Sequence, residues 1–173
     1  MHYGEIKERD IANGIGVRVS LFVSGCTNRC KGCFNKQTWD FNFGELYTQK
    51  TQDKIIELLK PDFVTGLTLL GGEPFEPKNQ EELLKLTNRV KNELPKKNIW
   101  CYTGFTLERL LSEEDYCHSQ FTLELLDNID VLVDGKFEED KKNIRLKFRG
   151  SENQRLIDMN KTRSMGKIML LEL

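Results

Sequence analysis

Three apolar, β-rich runs, residues 67–70, 99–102 and 129–133, recur about 31 residues apart with helical patterns between them. No other feature constrains the fold as strongly, because parallel strands need a crossover of a dozen or more residues, usually a helix. A fourth run, residues 17–23, precedes them. Residues 53–59 place Ile55, Ile56 and Leu59 on one side. Residues 80–94 place Leu83, Leu86, Val90 and Leu94 on a stripe that Pro95 then ends. Residues 107–111 and 121–126 are shorter helical segments. Crossovers of this kind are right-handed, so the units should wind around a curved sheet. A complete eightfold barrel takes roughly 250 residues, and the chain has 173. The expected fold class is therefore α/β: a partial, incomplete β/α barrel, a mostly parallel curved sheet with helices outside. No Pro- or Ser-rich linker interrupts residues 1–173, which read as a single domain. Residues 144–148 alternate apolar and basic side chains, and residues 167–173 form a late apolar run. Both are expected as strands appended to the sheet.

Composition narrows the partners. Twenty-six basic and 27 acidic side chains leave a net charge of −1, so no overall field favours nucleic acid or an anionic membrane. The charge is uneven, however. Residues 141–167 carry nine Lys or Arg against only Glu152 and Asp158, a local +7. That segment reads as a solvated basic surface or as a docking face for an acidic partner or a nucleotide phosphate. No stretch approaches the ~18 consecutive apolar residues of a membrane helix, and the charged N-terminus is unlike a secretory signal. A cytoplasmic location follows, where thiols stay reduced. Five cysteines then suggest metal or redox chemistry before disulfides.

Three of the five, Cys26, Cys30 and Cys33, lie in SGCTNRCKGCFN directly after the first apolar run. Soft thiolates within one loop can converge on one centre. Structural zinc wants four ligands, normally as two separated pairs, and no second pair is present. Cys101 sits in an apolar run, Cys117 in a loop beside His118, and His2 at the terminus. A four-iron cluster with one iron free of protein fits three cysteines best, and zinc with a composed fourth ligand is the alternative.

With GGEP following the next strand, this cysteine pattern resembles that of the radical S-adenosylmethionine enzymes. More narrowly, GIGVRVSLFVSGC, CKGCFNKQTW, LTLLGGEPF, IWCYTGF, DVLVDGKF and RGSENQR resemble the anaerobic ribonucleotide reductase activating proteins, in order and over residues 13–156. The resemblance implies a partial barrel of the radical S-adenosylmethionine type. It also implies a [4Fe–4S] cluster on Cys26, Cys30 and Cys33 whose open iron binds S-adenosylmethionine. Reductive cleavage would give methionine and a 5′-deoxyadenosyl radical, which removes a hydrogen from a glycine of the anaerobic ribonucleoside-triphosphate reductase. A flavodoxin-like carrier would supply the electron, and a homodimer or a complex with the reductase would be the assembly. Most of that superfamily has an aromatic residue just before the third cysteine. Here that position is Gly32 and the aromatic is Phe34, so Gly32, Cys33 and Phe34 are the positions expected beside the adenine. By the same resemblance Gly71, Gly72 and Glu73 meet the methionyl ammonium. An open lateral side of an incomplete barrel would admit the glycine loop of a large partner. Other readings are an activator of another glycyl radical enzyme, such as pyruvate formate-lyase, a small radical enzyme acting on a free metabolite, or a zinc-stabilised interaction module.

The remaining polar positions have two readings each. Thr103, Asp134 and Lys136 end strands that should share a rim with the cysteines. Thr103 is expected on a ribose or carboxylate, and Asp134 with Lys136 on polar ligand groups. A helix cap and a tight turn are the bland alternatives. Arg18, inside an apolar strand, needs a carboxylate or a ligand anion as partner.

Overall fold

The structure is a computed structural model that describes residues 1–173. Strands β1 (His2–Asp10), β2 (Val17–Val23), β3 (Glu45–Leu46), β4 (Val64–Gly71), β5 (Asn98–Tyr102), β6 (Val131–Asp134) and β7 (Arg155–Asp158) form one sheet in the order β3-β1-β2-β4-β5-β6-β7. The helices are α1 (Gln49–Leu59), α2 (Pro77–Glu93), α3 (Leu107–Leu111), α4 (Thr122–Asn128) and α5 (Met159–Met165).

This topology overturns the expectation of a partial β/α barrel with a mostly parallel, helix-surrounded sheet. Only β2, β4, β5 and β6 run parallel. The pairs β1/β2, β1/β3 and β6/β7 are antiparallel, so the seven-stranded sheet is mixed, and three of its five helices have seven residues or fewer. A mixed sheet of this kind has no missing barrel segment, and so no open lateral side of the kind expected. The physical reason is visible in β1. As HYGEIKERD it buries only Asp10, so it carries none of the apolar alternation by which a buried strand is recognised. Residues 144–148 form turns and bends, and residues 167–173 pair with the sheet only through an isolated Ile157–Leu170 bridge.

The parallel strands are two-faced because their side chains alternate. Val19, Leu21, Val23, Leu67, Leu69, Ile99, Cys101 and Leu132 share a core cluster of 27 buried residues with Ile55, Ile56 and Leu59 of α1 and Leu83, Leu86 and Val90 of α2. Thr48 caps α1 through a reciprocal pair of hydrogen bonds with Thr51, and Pro77 opens α2 at a position whose N–H has no helical partner. No helix is long and apolar enough to cross a membrane.

The opposite face carries Arg18, Ser20, Thr68, Trp100 and Tyr102. Arg18 is fully buried, yet it contacts no carboxylate. It donates to Thr68 Oγ1 at 2.6 Å, Leu67 O at 2.7 Å and Asn98 Oδ1 at 2.8 Å, and its guanidinium lies 5.3 Å from the Trp100 ring centroid. Burial lowers its pKa to about 10. Neutral oxygens and an aromatic face thus take the place of the expected carboxylate or ligand anion.

Candidate functional site

The carboxyl ends of β2, β4 and β5 open onto one cavity of about 490 Å³. Its lining includes Cys26, Cys30, Gly32, Cys33 and Phe34 from the loop after β2, Gly71 at the end of β4 with Gly72 and Glu73 after it, and Thr103 and Gly104 after β5. Parallel strands present their carboxyl ends together, which is why residues far apart in sequence meet here.

The cysteine loop is held by the turn after β4. Gly72 N donates to Val23 O at 2.7 Å, and Glu73 N to Gly25 O at 2.8 Å. Gly71 has φ 111°, and a Cβ there would stand 2.7 Å from the Phe22 backbone; one on Gly72 would stand 2.6 Å from Gly25 O. Both glycines therefore allow this turn to approach the chain that delivers the cysteines. Asn79, buried at the start of α2, donates to both Ser24 O and Glu73 O at 3.0 Å.

Two glutamates of GGEPFE complete the attachment. Glu73, 1% exposed, accepts from Asn28 Nδ2 at 2.9 Å, Phe75 N at 2.9 Å and Gly104 N at 2.7 Å. Burial pushes its pKa up to about 7 against these hydrogen bonds, with Glu76 adding to the rise. Glu76, fully buried, accepts from Thr27 N and Thr27 Oγ1, both at 2.6 Å, and from Tyr116 Oη at 2.8 Å. No cation pairs with either carboxyl group, so neutral donors, several of them from the cysteine loop, supply their hydrogen bonds. Asn28, Thr27, Glu76 and Tyr116 escaped the sequence reading. A second acidic residue just past GGEP, where apolar Phe75 is also buried, was the available signal for Glu76.

The cysteines differ in surroundings. Burial, with Glu73 nearby, raises the Cys26 thiol to about 11. Cys30 is also raised by burial, while the Phe137 N–H and the Lys136 charge oppose the shift. Cys101, wholly inside the core, is pushed far up by burial, and Cys117 rises to about 12 through burial and its contact with Asp115. Both lie outside the cavity lining.

Of the other expected residues, Thr103 lines the cavity and its Oγ1 accepts from Phe105 N at 3.1 Å. Asp134 is fully buried beneath the rim. It accepts from Leu107 N at 2.8 Å and from Arg155 Nε at 2.9 Å, and Arg155 continues to Glu108. Its hydrogen-bonding capacity is spent inside the fold. Lys136 is exposed, and its carbonyl accepts from Asn153 Nδ2 at 2.8 Å. Neither Asp134 nor Lys136 lines the cavity. Thr106, not Thr103, caps α3.

All five cysteines are free. Three soft donors on one loop suit an iron–sulfur cluster. No three His, Cys, Asp or Glu side chains are already gathered around one point, so the thiols share a cavity rather than a coordination sphere. The segment between β2 and Lys36 has neither strand nor helix.

A cavity that collects three free thiols offers the donors an iron–sulfur site uses, and residues 12–157 match the family described as "4Fe-4S single cluster domain". Curated relatives include the anaerobic ribonucleoside-triphosphate reductase-activating proteins of Vibrio cholerae, 45% identical over 89% of this chain and 96% of the relative, of Escherichia coli K12, 42% identical over 89% and 96%, and of Enterobacteria phage T4, 40% identical over 90% and 93%. The chain belongs to the family of anaerobic ribonucleoside-triphosphate reductase-activating proteins.

Proposed function

We propose that this protein activates an anaerobic ribonucleoside-triphosphate reductase by placing a glycyl radical on it. Cys26, Cys30 and Cys33 hold a [4Fe–4S] cluster with one iron open to S-adenosylmethionine. The single observation that carries this reading is the meeting of those three free thiols with Gly71, Gly72, Glu73 and Thr103 around one 490 Å³ cavity. When bound, the cluster supplies the electron that cleaves S-adenosylmethionine to methionine and a 5′-deoxyadenosyl radical, with a flavodoxin-like carrier as its source.

The chain's own residues do the positioning. The hydrogen bonds from Thr27 and Asn28 to Glu76 and Glu73 fix the cysteine loop against the β4 turn. Gly71 and Gly72 bring the backbone of the β4 turn to the cavity wall, the position for the methionyl ammonium. Gly32, Cys33 and Phe34 flank the cavity mouth on the side of the third thiol, the positions for an adenine ring. Leu70, Tyr102 and Phe148 line the wall with apolar surface that limits water around the reacting atoms.

Anaerobic reconstitution with iron and sulfide tests the reading. About four irons per chain, 5′-deoxyadenosine formed with dithionite, and a glycyl radical signal on the reductase in electron spin resonance are the expected results. A colourless zinc protein inert to S-adenosylmethionine would overturn it. A radical appearing on pyruvate formate-lyase and not on the reductase would reassign the partner.

A further inference from the structure

Large apolar side chains gain free energy when they leave water. The two most exposed in this protein are Phe34 at 92% and Ile144 at 90%. They are 110 positions apart in the sequence, yet both line the mouth of the cavity that holds the three thiols. Phe34 projects from the cysteine loop. Ile144 projects from the turns that follow β6, which also line the mouth through Lys142, Asn143 and Leu146. The loops touch where Lys31 pairs with Glu139 at 3.3 Å.

Both loops are cationic. Residues 26–36 contain Arg29, Lys31 and Lys36 and no carboxylate, and residues 141–149 contain Lys141, Lys142, Arg145, Lys147 and Arg149 and no carboxylate. Lys31 is spent on Glu139, Lys141 on Glu138, and Arg149 donates to Gln154 O. Arg29, Lys36, Lys142, Arg145 and Lys147 are exposed and make no ion pair. The local excess of positive charge thus gathers partly at the cavity mouth in a protein whose net charge is −1.

Apolar prongs set among unpaired cations around a concave opening have the composition of a protein interface: anchors that gain from burial, and charges that steer the encounter. A flat bilayer would meet the prongs but would not enter the opening. We infer that residues 29–36 and 141–149 form a docking rim for an acidic protein surface bearing apolar side chains. In that arrangement Phe34 and Ile144 are the anchors, and a segment of the partner enters between them toward the thiols. The inference rests on the proposed function in one respect, that the partner is the reductase.

The test uses the reconstituted holoprotein and its reductase without oxygen. Arg145→Glu combined with Lys147→Glu alters residues that do not line the cavity. This double variant is expected to weaken reductase binding by roughly tenfold or more and to reduce glycyl radical formation in parallel. Ile144→Asp should weaken binding by a similar factor. The double variant should cleave S-adenosylmethionine with dithionite, in the absence of the reductase, within about twofold of wild type. Raising the salt concentration should weaken wild-type binding and affect the double variant less.

Variants that bind the reductase as tightly as wild type overturn the docking rim while leaving the proposed function standing. A wild-type protein that cleaves S-adenosylmethionine but does not bind the reductase overturns both the rim and its partner. Salt-sensitive binding to phosphatidylglycerol vesicles that these variants lose, with reductase binding intact, reassigns the surface to a membrane and also overturns it.

Discussion

Replacing Glu73 by Gln isolates what burial does to the acidic residue of the GGEP turn. The side chain is 1% exposed and has no cationic partner, and its pKa is raised from 4.5 to about 7, chiefly by burial. The folded protein therefore keeps a proton that the unfolded chain releases between those values. The sign follows by linkage: folding binds a proton in this window, so stability falls as pH rises through it. A change from 4.5 to about 7 corresponds to about 3 kcal/mol. Below the window both states are protonated, and above it the full penalty applies. Gln has nearly the same shape and no proton to lose, so the variant should gain about 3 kcal/mol on wild type between about pH 5 and about pH 8. Urea unfolding of the cluster-free protein, reduced and without oxygen, measures this directly. In thermal scans the gap between the two proteins should change by roughly 6–12 °C. Glu108, held down to about 2 by its hydrogen bond from Arg155, titrates below this window, and its contribution cancels in the difference between the two proteins. Stability curves that stay parallel across the window would refute the argument that burial keeps Glu73 neutral.

Alanine at Cys26, Cys30 or Cys33 should abolish both iron retention and 5′-deoxyadenosine formation, whereas Cys101→Ala, outside the cavity, should leave cluster assembly intact; iron analysis and product chromatography distinguish them. Asp134→Asn should lower unfolding free energy by about 2–4 kcal/mol, because it weakens a pair whose buried member is fully enclosed while Arg155 stays partly solvated. Equilibrium dialysis should show its folded fraction still binding S-adenosylmethionine. Loss of that binding at unchanged stability would return Asp134 to the ligand. Thr27→Val deletes one of the two hydrogen bonds from Thr27 to Glu76 and should lower stability by about 1–2 kcal/mol in denaturant titration.

The sequence by itself determined the four central strands, the stripes of α1 and α2, and the position of the cysteines and glycines just past apolar runs. Each of these depends on side-chain periodicity or spacing within one segment, and β2 indeed spans Val17–Val23. The apolar runs near residues 67, 99 and 129 became β4, β5 and β6, paired in parallel. Tertiary structure alone decided the edges. β1 buries one residue of nine and β3 has two residues, both exposed. Such strands are held by backbone hydrogen bonds to a neighbour, which leave no mark on side-chain pattern, so the antiparallel flanks that make the sheet mixed were invisible. The same holds for partners. Arg18 was legible as a buried cation, but whether an anion, an aromatic ring or a set of carbonyls would meet it depended on strands 50 and 80 positions away. In the site, spacing drew attention to Cys26, Cys30, Cys33 and the GGEP turn. The ties that bind them, Thr27 to Glu76 and Asn28 to Glu73, exist only because parallel strands bring two loops side by side. Long-range pairing, not local pattern, also placed Phe34 and Ile144 on the same cavity mouth.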